Sequence, residues 1–319
     1  MTESIYRGST AVLFALLIWP SMVAAQQPYP AKPIRVVTTE PGSSLDLTAR
    51  YVAQAISGPL GQQVIVDNRR VNSIEIVAKA QPDGYTLLAY GSPIWIMPML
   101  REVTFDPVKD FAPITLAATS PNVLVIHPAV AATNVKELIA LAKSRPGALN
   151  YGSSVTGGTP HLAAELFKAL AGVDVVRVAY KGVAVAVTDL IGGQLQMMFP
   201  VVPSAIPHVK TGKLRALAVS SAQPSALAPG LSTMAASGLP GYELVAVYGM
   251  FAPARTPATL LERLNREMVR GINTPEMKAQ FLIAGAEVVG STQQVFAAFI
   301  KADMARMSKV IKDAGIRED

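Results

Sequence analysis

The sequence predicts an α/β protein of two units built from β-α segments, and three observations carry that expectation. The chain has 319 residues, about twice the usual single domain. Short runs rich in valine and isoleucine alternate with longer stretches of helical period, the pattern of a parallel sheet covered by crossover helices. A glycine- and serine-rich loop stands between a strand and a helix in each of two successive β-α series, 40–44 and 152–159.

Residues 1–10 are polar with Arg7, residues 11–19 are apolar, and Pro20, Ser21 and Val23-Ala24-Ala25 follow. Such a core is too short to cross a bilayer, which takes ~20 residues. Residues 1–25 therefore read as a secretory signal peptide cleaved after Ala25. With no cysteine beside that point and no later long apolar run, the mature chain is expected to be soluble in a Gram-negative periplasm.

Ile34 to Thr38 reads as the first strand, and after the Pro41-Gly42 turn a helix begins at Ser44, with Ser43 and Asp46 spaced as a capping box. Its apolar face is Leu45, Ala49, Val52, Ala53 and Ile56. Val64 to Val66, Tyr85 to Ala89 (after the turn Pro82-Asp83-Gly84) and Val123 to Ile126 are further strands. In the second series Asn134 and Glu137 cap a helix to Lys143, and Ala148 to Tyr151 is a strand. A helix from Pro160, with Thr159 as N-cap, should turn Leu162, Leu166, Phe167 and Leu170 inward. Val175 to Val178, Leu195 to Phe199 and Leu214 to Val219 complete the strands. Gln223 to Tyr242 reads as a linker, and helices are expected near 257–272, 275–284 and 291–314. The organisation is thus signal peptide 1–25, first lobe 26–125, second lobe 126–225, and 226–319 as linker and C-terminal helices returning to the first lobe.

Half the residues are apolar and 16% charged, which excludes a disordered chain. Lysine and arginine exceed the acids by 28 to 22, but the excess is dispersed and nucleic acid is not an expected partner. Lack of cysteine excludes disulfides, thiolate nucleophiles and zinc-thiolate or iron-sulfur sites. His127, His161 and His208 are too scattered for a metal motif, so no metal, cofactor or catalytic residue is assigned. Gly152-Ser153-Ser154-Val155-Thr156 fails the nucleophile-elbow pattern at its last position. His161, at a helix start, is expected to be neutral and bonded to backbone. Met197 and Met198 read as core.

In open α/β sheets ligands bind beyond the carboxyl ends of strands, where helix N-termini converge. Each of the two loops offers backbone N–H groups, hydroxyls and a helix dipole to an anion, although glycine and serine also serve as plain turn and cap residues. A helix end contributes ~0.3–1 kcal/mol against the ~8 kcal/mol of micromolar binding, so the ligand must also be desolvated and hydrogen-bonded. Lys181, after a strand, either approaches that anion or is solvated.

Tyr29-Pro30-Ala31-Lys32-Pro33-Ile34-Arg35, Pro82 through Leu88, Tyr180-Lys181-Gly182, Gly192-Gly193-Gln194, Gly212 through Val219 and Ala252-Pro253 through Thr256-Pro257 occur in family order. On these residues the chain resembles the Bug-type extracytoplasmic receptors of tripartite tricarboxylate transporters. The resemblance implies a periplasmic binding protein of the type II fold, a carboxylate held between two lobes, and delivery to permease subunits by a monomer. It implies ligand contacts at Gly42, Ser43 and Ser44 and at Ser153, Ser154, Thr156, Gly157, Gly158 and Thr159; Ser92, Lys181 and Pro200 are further candidate contacts. The chain departs from the family at Ser43, where a second glycine is usual, and at Arg70 to Glu75, where a glycine-rich stretch is usual. Gln196 and Pro200 replace frequent aspartates, and Val247 a common tryptophan. Without those acids a ligand bearing a free ammonium is disfavoured, since a buried cation needs a counter-charge. A periplasmic sensory partner and an exported enzyme on the same fold are the competing readings.

Overall fold

The computed structural model describes Met1 and residues 29–317; the expected signal peptide beyond Met1, with its cleavage point, lies outside the described residues. In chain order the elements are β1 (Ile34–Thr38), α1 (Ser44–Leu60), β2 (Val64–Asn68), α2 (Ser73–Ala78), β3 (Thr86–Tyr90), α3 (Pro93–Leu100), β4 (Phe111–Pro121) and β5 (Val123–Ile126). Then come α4 (Val135–Ser144), β6 (Asn150–Ser153), α5 (Thr159–Ala171), β7 (Val176–Ala179), α6 (Val183–Ile191), β8 (Met197–Met198), α7 (Val202–Lys210) and β9 (Arg215–Val219). The last are β10 (Val245–Pro253), α8 (Ala258–Ile272), α9 (Pro275–Ile283), β11 (Glu287–Val288) and α10 (Gln293–Asp313).

They form two sheets, ordered β11-β4-β10-β3-β1-β2 and β7-β6-β8-β5-β9. The β-α reading holds for β1, β2 and β3 and for β6, β7 and β8, which pair in parallel. The sheets are nevertheless mixed, which corrects the parallel expectation. Strand β10 runs antiparallel to β3 and β4, and β5 antiparallel to β8 and β9. The cause is the path of the chain. It leaves the first sheet at the carboxyl end of β4, passes Asn122 and enters the second sheet at β5; it returns after β9 and re-enters as β10. A strand that starts at the end where its parallel neighbours finish must run against them. The mixed pairing therefore places the carboxyl ends of both parallel sets at one crossing.

Local signals account for most boundaries. Ser43, Asn134, Thr274 and Thr292 cap α1, α4, α9 and α10 with side-chain oxygens. For α5 the N-cap is Gly158, not Thr159, which is already helical; Leu162, Leu166 and Phe167 are buried as expected, but Leu170 is exposed. The supposed linker is a packed segment: Met234 N–H donates to Val219 O (2.8 Å) and the Tyr242 hydroxyl to Ala163 O (2.7 Å). Met234, Leu239 and Tyr242 are buried. Helices α2 and α3 and strands β4, β10 and β11 had no sequence reading. One apolar cluster joins Val37, Leu88 and Trp95 of the first sheet's side to Leu124, Tyr151 and Phe199 of the second. Helix α10 braces the crossing, since Asp303 accepts from Trp95 Nε1 (2.8 Å) and pairs with Arg306, which also reaches Glu243 (3.3 Å).

Candidate functional site

The first loop, 39–43, follows β1. Gly42 takes φ +78°, a conformation that disfavours a side chain. The Ser43 hydroxyl caps α1 by accepting from Asp46 N–H (3.1 Å) and lies 2.9 Å from Thr39 Oγ1. The capping box closes one residue early: Asp46 Oδ2 accepts from Gly42 N–H (2.8 Å), whereas Ser43 N–H turns to Glu40 O (3.2 Å). Gly42 N–H and the Ser43 hydroxyl are thus committed to holding the loop. Ser44 is exposed at the first helical position, and the Tyr248 hydroxyl lies beside Ser44 and Ser120. Burial raises the pKa of that phenol, which keeps it a neutral hydrogen-bond donor.

Asp46 is buried, and Asn68 Nδ2 (2.9 Å) and Arg50 Nε (3.0 Å) also reach its carboxylate. Burial alone would raise its pKa, but bonds from Arg50, Asn68 and Gly42 N–H bring it below the ordinary value. A carboxylate depressed in the fold stabilises it above its unfolded pKa of ~3.9 and loses that contribution as pH falls through the folded value. Asp46→Asn is therefore expected to lower unfolding free energy at pH 7 by ~1–3 kcal/mol and to narrow the gap from wild type below ~pH 4. Urea titrations across that range measure it, and a gap that stays constant refutes the charge-assisted role.

The second loop links β6 to α5. Ser153 is fully buried, and its hydroxyl accepts from Arg177 Nε (2.8 Å). The same guanidinium donates to Ser154 O (3.0 Å) and Thr156 Oγ1 (3.3 Å). Gly157, at φ +74°, donates its N–H to His161 Nδ1 (3.1 Å). Here the expectation for His161 holds: it is a neutral backbone acceptor, its pKa lowered to about 4 by burial and by the cations of Arg177 and Lys168. Gly158, by contrast, has an ordinary extended backbone as the N-cap, so positive φ is required at Gly157 and not at Gly158.

Both loops lie at carboxyl ends of strands, on the side of the crossing. A Cβ on Gly157 would stand 2.3 Å from Leu100 Cδ1 and 3.6 Å from Ile96 Cγ2, so the second loop packs directly on α3. Helix α3 begins after Ser92, and Gly91 is pressed so close to β10 that a Cβ would meet Val247 O at 2.4 Å. The end of β3 is tied to β1 by Thr38 Oγ1 donating to Ala89 O (3.0 Å). Across the crossing, Val123 N–H donates to Pro200 O (2.9 Å), and Asn122 Nδ2 to Phe199 O (2.6 Å). Ser92 and the buried Pro200 therefore flank the crossing, while Lys181 is exposed on the loop between β7 and α6. Sequence reasoning missed Arg177 and Tyr248; the one readable signal was an arginine inside the apolar run Val175-Val176-Arg177-Val178. Cavities of about 450 Å³ beside Phe111 and Met304 and about 340 Å³ beside His127 and Gln196 have no residue of either loop in their walls. The first is almost wholly apolar, which is unsuited to an anion.

Residues 48–316 match the family model of the tripartite tricarboxylate transporter family receptor, TctC. Protein BugT of Bordetella pertussis is 31% identical over 91% of this chain and 91% of its own. An R. palustris protein solved with adipate is 33% identical, with a TM-score of 0.74 over 91% of this chain and 99% of that chain. The periplasmic binding protein BugD is 28% identical, with a TM-score of 0.72 over 91% of this chain and all of that one (100%).

Proposed function

The chain belongs to the tripartite tricarboxylate transporter receptor family, and from that premise we propose that it captures a small organic carboxylate at the crossing between its two sheets. What supports this reading is that each sheet carries a strand-to-helix loop at the carboxyl ends of its parallel strands, on the side of the crossing, and each loop ends at the positive end of a long helix. Residues 29–121 and 245–317 act as one lobe and 123–244 as the other, hinged where the chain passes Asn122 and again before Val245. Ser44, Tyr248, Ser92 and the 153–159 loop face the ligand, whose desolvation between the lobes supplies what helix dipoles alone do not. The adipate found in the R. palustris relative supports an acid as the ligand class. Delivery to the permease subunits of a tripartite transporter in the periplasm follows from the family role.

A thermal-shift series with adipate, malate and short linear mono- and dicarboxylates tests the proposal. Stabilisation grows as RT ln(1 + [L]/Kd), so an acid at a hundredfold excess over Kd is expected to add ~2.7 kcal/mol to the unfolding free energy. Amino acids should bind more weakly than the matching simple acids. If no acid stabilises the protein at millimolar concentration, or if amino acids are preferred, the carboxylate assignment falls.

A further inference from the structure

Arg177 stands on β7, the edge strand of the second sheet, opposite Tyr151 and diagonal to Ser153. That position lets one guanidinium span the end of β6 and the loop beyond it, and its three acceptors are two hydroxyls and a carbonyl. All three are neutral. Among the described residues no carboxylate lies within ion-pair distance of Arg177. The nearby acid, Glu165, is engaged elsewhere, accepting from the Tyr151 hydroxyl (2.5 Å) and from Lys168 Nζ (3.0 Å). A half-buried arginine is normally paired with an acid. Here it is held beneath a loop that leads into the N-terminus of α5, so its positive charge adds to the helix dipole and is paired with no acid among the described residues.

The remaining ionisable groups around the loop do not replace it. His161, which fixes Gly157 N–H from α5, is uncharged at neutral pH. Lys168 is taken up by Glu165, and Lys181 is exposed. We propose that Arg177 is the counter-charge of the bound acid and the positioning residue of the second half of the site. By gripping Ser153, Ser154 and Thr156 it presets the loop, and its charge makes the site prefer a carboxylate over an isosteric neutral group. This inference rests on the carboxylate reading of the site and names the residue that enforces it.

The test uses Arg177→Met, which removes charge and fork, and Arg177→Lys, which keeps the charge but not the planar fork. Titration calorimetry compares the best acid of the thermal-shift series with its amide, for example adipate with adipamide, in wild type and both variants. Wild type is expected to prefer the acid by at least thirtyfold, with an affinity that falls as ionic strength rises. Arg177→Met should bring acid and amide within about threefold of each other and flatten the salt dependence, and Arg177→Lys should restore part of both. A purely structural arginine predicts another result: acid and amide weakened equally, with preference and salt slope retained. That result overturns the inference while leaving a carboxylate receptor intact. Failure of every acid to bind wild type instead removes the functional reading on which it rests.

Discussion

Gly157→Val is expected to lower the unfolding free energy by ~2–5 kcal/mol. Two costs combine. The residue sits at φ +74°, where an L side chain costs ~1–2 kcal/mol, and its Cβ would overlap Leu100 Cδ1 at 2.3 Å, an overpacking of the kind that costs ~1–3 kcal/mol. The steric part is separable because it requires Leu100. Leu100→Ala in a buried position costs ~2–5 kcal/mol by itself, yet in the double variant the overlap is gone, so the combined loss should fall short of the sum by ~1 kcal/mol or more. Urea unfolding of the wild type, both single variants and the double variant measures that coupling. Strict additivity would mean that the loop and α3 do not touch in solution.

Stability is expected to fall by up to about 3 kcal/mol as pH drops from 6.5 to about 4, through His161. The sign follows from the proton count. The imidazole titrates in the fold at about 4 against its ordinary 6.5, so between those values the unfolded chain binds a proton that the folded one refuses, and acid favours unfolding. Below about 4 the contribution levels off. The physical event is specific: a protonated Nδ1 no longer accepts from Gly157 N–H and faces the cation of Arg177. His161→Phe should therefore be less stable at pH 7, having lost the acceptor, but should lack this decline. Chemical unfolding at several pH values with both proteins checks it, and an undiminished slope in His161→Phe would assign the decline to carboxylates such as Asp46.

Much of the fold was legible because its signals are local. Ser43 and Asn134 cap helices through contacts within three residues of chain, and Val36 and Val37, on opposite faces of β1, are both apolar because both faces are buried there. Strands β4 and β10 were not legible for the opposite reason. Pro113 and Pro121 interrupt the pattern of β4, and β10 begins a stretch that local composition marks only as the end of a proline-rich segment. Their register is set by pairing with each other across more than a hundred residues of chain, and no periodicity within either run records that partner. The same holds for the segment 223–242. Its prolines and glycines resemble a linker, while Met234, Leu239 and Tyr242 are buried in the apolar cluster that spans both sheets, against residues distant in the chain.

The sequence by itself determined the β-α alternation, the caps at Ser43 and Asn134, the two loops that follow β1 and β6, and the neutral role of His161, since each depends on groups a few residues apart or on composition. Tertiary structure alone decided that the sheets are mixed and that Gly157 rather than Gly158 carries the left-handed turn against Leu100. It alone brought Arg177 from a neighbouring strand under Ser153, Ser154 and Thr156. Those outcomes depend on where separate segments meet. A guanidinium or a methyl group acts over a few ångströms of space, and distance along the chain carries no record of that proximity until the crossing at Asn122 folds the two sheets together.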